Sequence, residues 1–124
     1  MHNKTNVIAV VDDNEEFSTV LVSLLNENGF EAYAFNDPIA CIDRMQSWKP
    51  DILLTDYEMP QMTGIDLVRN IHQILPDLPC LLVTGSSEIL LKSKATSAGC
   101  SAVIFKPFEL NELITAINIY GKFK

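Results

Sequence analysis

Five side chains that could take part in a reaction lie at the ends of short apolar segments. The segments NVIAVV, DILLT, PCLLVT and AVIF are followed or ended by Asp12 and Asp13, Asp56, Thr84 and Lys106. Short continuous apolar runs rich in branched residues are typical of the buried strands of a parallel sheet. The carboxyl ends of parallel strands share one edge, where ligands of such sheets bind. The sequence therefore predicts that these five side chains meet in one crevice.

The chemistry of that set points to phosphate. Carboxylates held close together repel, so some would be protonated unless a cation lies among them. Oxygen ligands without His or Cys favour a hard cation, Mg²⁺ first. Lys106 can pair with one acid or with an incoming anion, and Thr84 supplies a hydroxyl. A metal ion and a lysine can balance phosphate oxygens while a carboxylate attacks phosphorus.

Each residue also has an ordinary structural interpretation when it is taken alone. Asp12 and Asp13 suit a helix N-cap, where acids are favoured. Asp56 suits a solvated loop, Thr84 a strand end and Lys106 the surface. The functional hypothesis therefore depends on the combination, which places acids, a hydroxyl and a lysine after four different strands.

Strands and helices alternate along the chain. Strands are predicted at 6–11, 31–35, 51–55, 79–84 and 102–105, with helical patterns after each, including 36–48 and 87–99. Asp37 and Pro38 suit the start of the second helix, and Thr63 with Asp66 resembles a capping box at the third. Strict alternation predicts an α/β fold, a doubly wound five-stranded parallel sheet covered by helices on both faces.

The helices are expected to be amphipathic. The inward face of the first helix is predicted from a spacing of three and four residues to be Phe17, Val20, Leu21, Leu24 and Leu25. The last helix repeats the pattern with Leu110, Leu113, Ile114 and Ile117.

Length and charge exclude several classes of protein. The 124 residues suffice for a single domain, residues 1–124, with a formal charge of −7. An acidic domain is not expected to bind nucleic acid by itself, since such binding draws on Lys and Arg.

The apolar run near the N-terminus is too short for a signal peptide or a membrane span, so a cytoplasmic location is expected. The three cysteines match no zinc or redox spacing and are interpreted as reduced structural thiols.

Four motifs together resemble a known family. VVDDN, DILLTDYEMPQMTG, LLVTGSS and VIFKPF occur in the order and spacing of the receiver (response-regulator) domain of two-component signalling, of the CheY-like type. The resemblance covers nearly the whole chain and implies the strand order 2-1-3-4-5. It also implies a signalling phosphoacceptor, which catalyses only its own phosphorylation and dephosphorylation, rather than an enzyme.

The resemblance assigns a role to each motif residue. It makes Asp56 the acceptor of a phosphoryl group from a sensor histidine kinase or phosphotransfer protein. Mg²⁺ would be held by Asp13, Asp56 and the backbone carbonyl of Glu58, with Asp12 acting mainly through a metal-bound water. Lys106 and Thr84 would bind the phosphoryl oxygens, and the Lys106–Pro107 bond would be cis, as X-Pro bonds can be.

Two departures from the family pattern affect the switch. Val103 stands on the fifth strand where the family usually has Tyr or Phe. Phe105, two residues on and on the same side of the strand, either takes over the switching or only packs. Glu58 and Ser86 occupy the variable positions that flank the phosphoryl group and tune its lifetime in the family.

Two apolar regions are candidate partner surfaces. One is Ile89, Leu90 and Leu91; the other is Ile119, Tyr120 and Phe123. Family members commonly bind downstream effectors through the face of helix 4, strand 5 and helix 5. The region of Ile119, Tyr120 and Phe123 has three possible interpretations: a partner surface, a homodimer surface or simply a covered C-terminus.

Three alternative functions are less well supported by the sequence. A receiver-shaped interaction module that works without phosphate is favoured only by Val103. An FMN binder needs a Ser, Thr and Gly-rich loop after the first strand, where DDNEEFS would repel the phosphate. A phosphatase-like hydrolase usually has a cap domain and a nucleophile after the first strand. No output domain follows the last helix, which fits a stand-alone receiver or a fragment of a longer regulator or hybrid kinase.

Overall fold

A parallel sheet with helices on both faces forms the domain. The computed structural model describes residues 6–121. The strands are Val7–Val11 (β1), Glu31–Phe35 (β2), Ile52–Thr55 (β3), Cys80–Thr84 (β4) and Ala102–Phe105 (β5). The helices are Glu15–Glu27 (α1), Pro38–Met45 (α2), Gly64–Ile74 (α3), Leu91–Ala98 (α4) and Leu110–Tyr120 (α5). All strand pairs are parallel and their order is β2-β1-β3-β4-β5, which confirms the predicted fold class.

Alternate residues of each strand supply two separate cores. In β1, Ala9 and Val11 pack with α2, α3 and α4, whereas Ile8 and Val10 pack with α1 and α5. The central strands β3 and β4 are buried on both faces, which explains their continuous apolar sequences. Among the described residues, no helix is long and apolar enough to cross a membrane.

The predicted starts of α2 and α3 hold, and capping residues explain them, whereas α2 ends at Met45 rather than at residue 48. Asp37 accepts a hydrogen bond from the backbone N–H of Ile39 at the start of α2. Thr63 and Asp66 form a complete capping box at the start of α3. Gly99 ends α4 with a φ of 105°, a left-handed conformation that glycine adopts without strain.

The start of α4 differs from the prediction. The helix begins at Leu91 rather than near residue 87. Ser86 Oγ accepts the backbone N–H of Glu88 at 3.2 Å, and Leu91 N–H donates to the Glu88 carbonyl at 3.2 Å. These bonds stabilise a turn in place of the first helical turn. The side chain of Ile89 is consequently 94% exposed.

The inward face of α1 is narrower than predicted. Leu21 and Leu25 are buried and Phe17 and Leu24 are partly buried, but Val20 is 59% exposed. Val20 lies on the flank of the apolar stripe, where α1 borders a cleft of about 510 Å³ in front of α5. In α5 the prediction holds better, because Leu113 and Ile117 are buried and Leu110 and Ile114 pack against them in part.

The cysteines are free and buried, as their interpretation as structural thiols requires. Cys41, Cys80 and Cys100 form no disulfide. Burial raises the pKa of the Cys41 thiol to about 12 and that of Cys100 to about 11. Thiols with such high pKa values are poor nucleophiles at neutral pH, because the thiolate is the reactive form.

Candidate functional site

The predicted crevice forms because backbone pairing continues past the strand ends. The N–H of Asp56 donates to the carbonyl of Val11 at 2.9 Å, so Asp56 begins its loop beside Asp12. The N–H of Lys106 donates to the carbonyl of Thr84 at 2.7 Å. The register of the parallel strands therefore carries side chains distant in sequence to one edge of the sheet.

Three carboxylates meet at this edge. Asp12, Asp13 and Asp56 each offer an oxygen, and these oxygens lie within 4.8 Å of one another. Asp12 is buried, Asp56 is half-buried and Asp13 is exposed, so the cluster opens to solvent on one side. An all-oxygen set that is partly open suits Mg²⁺, which binds carboxylate oxygens and keeps several waters. The residues present fit that ion.

Lys106 reaches this cluster from the edge strand β5. Its Nζ lies 3.3 Å from Asp12 Oδ2 and 3.8 Å from Asp56 Oδ1. Asp12 also accepts the backbone N–H of Asn14 at 2.9 Å. A buried carboxylate needs such partners, and Asp12 is only 3% exposed. The N-cap of α1 is Asn14 itself, so the alternative interpretation of Asp12 and Asp13 as the capping pair is wrong.

A chain of hydrogen bonds runs from Thr84 to Asp56 by way of Ser86, Glu88 and Tyr57. The Oγ1 of Thr84, a buried residue, accepts the N–H of Ser86 at 3.0 Å. Tyr57 donates its N–H to Asp56 Oδ1 at 2.9 Å and its hydroxyl to Glu88 Oε2 at 3.0 Å. Sequence reasoning missed Tyr57 and Glu88, because 31 residues separate them and no motif joins them.

The loop after Asp56 folds back tightly on α3. The N–H of Gly64 donates to the Tyr57 carbonyl at 2.7 Å, which closes the turn predicted from MPQMTG. Glu58 lies within that turn and its side chain is exposed. The Lys106–Pro107 peptide is cis, as the resemblance implied.

Val103 and Phe105 of β5 differ in burial. Val103 is partly buried and packs against the core on the α2, α3 and α4 side of the sheet. Phe105 is paired with Thr84 in the strand register and is 45% exposed. Phe105 is therefore outside the buried core, and both of its predicted roles, switching and packing, stay predictions.

The surroundings of Asp56 disfavour its charged form. Burial raises the pKa of the Asp56 carboxyl above its usual range, and the neighbouring Asp12 and Asp13 add to that rise. Lys106 and the Tyr57 N–H act in the opposite direction without cancelling it. A cation bound among the carboxylates would offset this repulsion.

The raised pKa predicts that Asp56→Asn stabilises the metal-free domain at neutral pH. A carboxyl whose pKa is raised on folding contributes stability below its unfolded pKa, and that contribution is lost as pH rises through the folded pKa. At pH 7 we expect the variant to melt about 2 to 6 °C higher than the unaltered chain in the presence of chelator. The difference should shrink in acid, where both side chains are neutral. Thermal unfolding at both pH values checks this, and a less stable variant at pH 7 would contradict it.

The comparison with known families agrees with the motifs. The sequence pattern of the response regulator receiver domain matches residues 8–118, nearly the whole described region. The chain belongs to the response regulator receiver family. Membership makes it a signalling receiver domain and favours that hypothesis over flavin binding or hydrolysis.

Individual relatives of this receiver domain differ in length. It is 31% identical to the response regulator receiver protein CpdR of Brucella abortus (strain 2308) over 110 residues, which cover 89% of this chain and 92% of CpdR. It is also 31% identical to the transcriptional regulatory protein FixJ of Rhizobium meliloti (strain 1021), covering 89% of this chain but 54% of FixJ. The crystal structure of FixJ-N matches with a TM-score of 0.89 at 28% identity over 98% of both chains. Receivers of this type thus occur nearly alone and as part of longer proteins.

Proposed function

We propose that residues 1–124 form one phosphoacceptor receiver domain of a two-component phosphorelay, with Asp56 as the acceptor. The observation that carries this proposal is the position of the Asp56 carboxylate. One oxygen lies 3.8 Å from Lys106 Nζ, and the carboxylate lies in a cluster with two further acids at the strand ends. In this proposal Asp56 is the nucleophile, close both to a cationic side chain and to a candidate cation site.

The reaction follows from those positions. A carboxylate oxygen of Asp56 forms a bond to phosphorus, while the bond from phosphorus to the donor breaks. With a phosphohistidine of a sensor kinase or phosphotransfer protein, the electron pair goes to the imidazole nitrogen. Lys106, held between Asp12 and Asp56, meets the negative charge that accumulates on the phosphoryl oxygens. Thr84, buried at the end of β4, supplies a hydroxyl to the same group.

Asp12, Asp13, Asp56 and the backbone of Glu58 would hold Mg²⁺ in this proposal. When bound there, the ion would supply charge stabilisation to the phosphoryl oxygens. A cation among the carboxylates would also favour the charged form of Asp56, whose pKa is raised by burial and by the neighbouring acids Asp12 and Asp13. The domain is thereby a signalling component that acts on itself, rather than an enzyme with a turnover substrate.

The output is proposed to pass through an exposed apolar face. Large apolar side chains are exposed on or beside α4, β5 and α5: Ile89, Leu90, Phe105, Ile119 and Tyr120. Leu91, by contrast, is buried and belongs to the core, and Phe123 lies outside the described residues. We assign the α4–β5–α5 face to a downstream effector protein or a second copy of the domain, in the cytoplasm. We propose no nucleic-acid partner for this domain, because its formal charge is −7.

Incubation with acetyl phosphate tests the proposal directly. We expect intact mass spectrometry to find one added phosphoryl group with Mg²⁺ and at least tenfold less adduct with chelator, since the metal balances the carboxylates. An adduct that forms equally well in chelator would refute the role of the metal. If no adduct appears with this donor or with a phosphorylated histidine kinase, the phosphate-independent interaction module becomes the better interpretation.

A further inference from the structure

Phe17 lies against the lysine of the site, although no motif contains it. The ring centroid of Phe17 is 4.1 Å from Lys106 Nζ, with the ammonium over the ring face. We propose that Phe17 is a positioning residue for phosphorylation, which holds the Lys106 ammonium over the acceptor by a cation–π contact. This proposal rests on the proposed function of Asp56 and adds a residue to its machinery.

The ammonium is held by three groups rather than two. Asp12 Oδ2 lies 3.3 Å away and Asp56 Oδ1 3.8 Å away, while the Phe17 ring lies at 4.1 Å. The lysine side chain is only 27% exposed, so its ammonium has lost part of its hydration. Cation–π attraction is effective within about 6 Å of a ring centroid and strengthens with such desolvation.

A third contact matters because lysine has a flexible stem. The rotatable bonds of the four-carbon stem give the ammonium many positions, and a carboxylate attracts it from almost any direction. The face of a ring attracts a cation only from above its plane, so it restricts the direction of approach. When Asp56 accepts a phosphoryl group, Lys106 must stay close to the new oxygens. Phe17 favours that position over rotamers that extend into solvent.

The structure also holds the ring itself in place. Phe17 lies in the first turn of α1, where its N–H donates to the Asn14 Oδ1 cap at 3.0 Å. The ring also meets the ring of Phe108 edge-on, with centroids 6.5 Å apart and planes at 89°. Phe108 follows Lys106 by two residues, so the ring is anchored to the same loop that carries the ammonium.

The test compares two substitutions of the same residue. Phe17→Leu keeps apolar volume but removes the ring, whereas Phe17→Tyr keeps the ring. Val20→Ala alters the same cleft one turn along α1 and serves as the matched control. We expect Phe17→Leu to slow phosphorylation by acetyl phosphate about threefold to tenfold, the range of a partly buried cation–π contact. Phe17→Tyr and Val20→Ala should stay within twofold of the unaltered chain, roughly the change from an uninvolved surface residue.

A second measurement reads the contact without any phosphoryl donor. The ring current of Phe17 should shift the NMR signals of the Lys106 ε-methylene protons upfield. That shift should disappear in Phe17→Leu and persist in Phe17→Tyr and Val20→Ala. The shift reports whether the Phe17 ring lies over the Lys106 ammonium in solution, and the phosphorylation rates report whether that contact aids the reaction.

Several results would overturn this proposal. Phosphorylation of Phe17→Leu at the unaltered rate would do so, as would equal slowing by Phe17→Leu and Val20→Ala. Lys106 signals without a ring-current shift would reject the contact itself. If the unaltered chain takes up no phosphoryl group from any donor, the proposed function fails instead, and the Lys106 signals alone then decide whether Phe17 holds the ammonium.

Discussion

Substitution of Asp56 by Asn is expected to abolish covalent phosphorylation of the chain. The amide has nearly the same shape as the carboxylate, so the fold around it should persist. It carries no anionic oxygen, however, and a neutral amide oxygen is a far weaker nucleophile toward phosphorus. With acetyl phosphate and Mg²⁺, the adduct seen by intact mass spectrometry should fall from nearly one per chain to less than about one in a hundred, since covalent catalysis depends on the nucleophile.

A matched surface carboxylate provides the control for this result. Asp77 is exposed in the loop between α3 and β4. This loop precedes β4, so it lies at the amino-terminal edge of the parallel sheet, whereas Asp56 lies at the carboxyl-terminal edge. Asp77→Asn removes the same charge and should be phosphorylated like the unaltered chain. Thermal unfolding of both variants checks that they are folded. An undiminished adduct on Asp56→Asn would show that another acid is the acceptor, and peptide mapping would identify it.

The sequence predicts the location of the site well because it follows from strand direction. Once the segments before Asp12, Asp56 and Lys106 are recognised as parallel strands, their carboxyl ends must share one edge. Alternation of strands and helices with right-handed crossovers leaves few topologies, but the strand order itself follows only from the family resemblance. Local features with a fixed chemical signature, such as the capping box at Thr63, were likewise predictable.

Features that depend on side-chain reach were not predictable. Lys106 extends far enough to contact Asp12 as well as Asp56, and nothing in its spacing specifies that. The ring of Phe17 was assigned to the core from helical periodicity, which does not reveal that one side of the ring faces an ammonium. The late start of α4 depends on the Ser86–Glu88 bond, a local competitor of helical hydrogen bonding that periodicity ignores.

Gly64→Ala is expected to be among the most damaging single substitutions in the chain. A Cβ added to Gly64 would lie 2.0 Å from the backbone oxygen of Asp56 and 2.9 Å from Cδ1 of Leu82. The leucine can rotate, but the carbonyl belongs to the loop that Gly64 itself closes through its bond to Tyr57. Relieving the overlap requires the backbone to move, so we expect a loss of about 3 kcal/mol or more in the free energy of unfolding. Urea denaturation with a fitted slope measures this loss.

The second glycine of the site, Gly85, is the matched control. A Cβ there would have only the Lys106 Cβ near it, at 3.9 Å, which is an ordinary contact. Gly85→Ala should therefore change the free energy of unfolding by less than about 1 kcal/mol. Equal losses in the two variants would contradict the close approach of α3 to Asp56.

The same overlap connects the fold to the acceptor. Because the oxygen that Gly64→Ala displaces belongs to Asp56, the residue that relieves the strain is the one that must attack phosphorus. A displacement of even 1 Å can cost about a hundredfold in rate when reacting atoms must be aligned. At low temperature, where the variant is still folded, phosphorylation should therefore be slowed more than its folded fraction accounts for. A rate that simply follows the folded fraction would show that the loop shifts without moving the carboxylate.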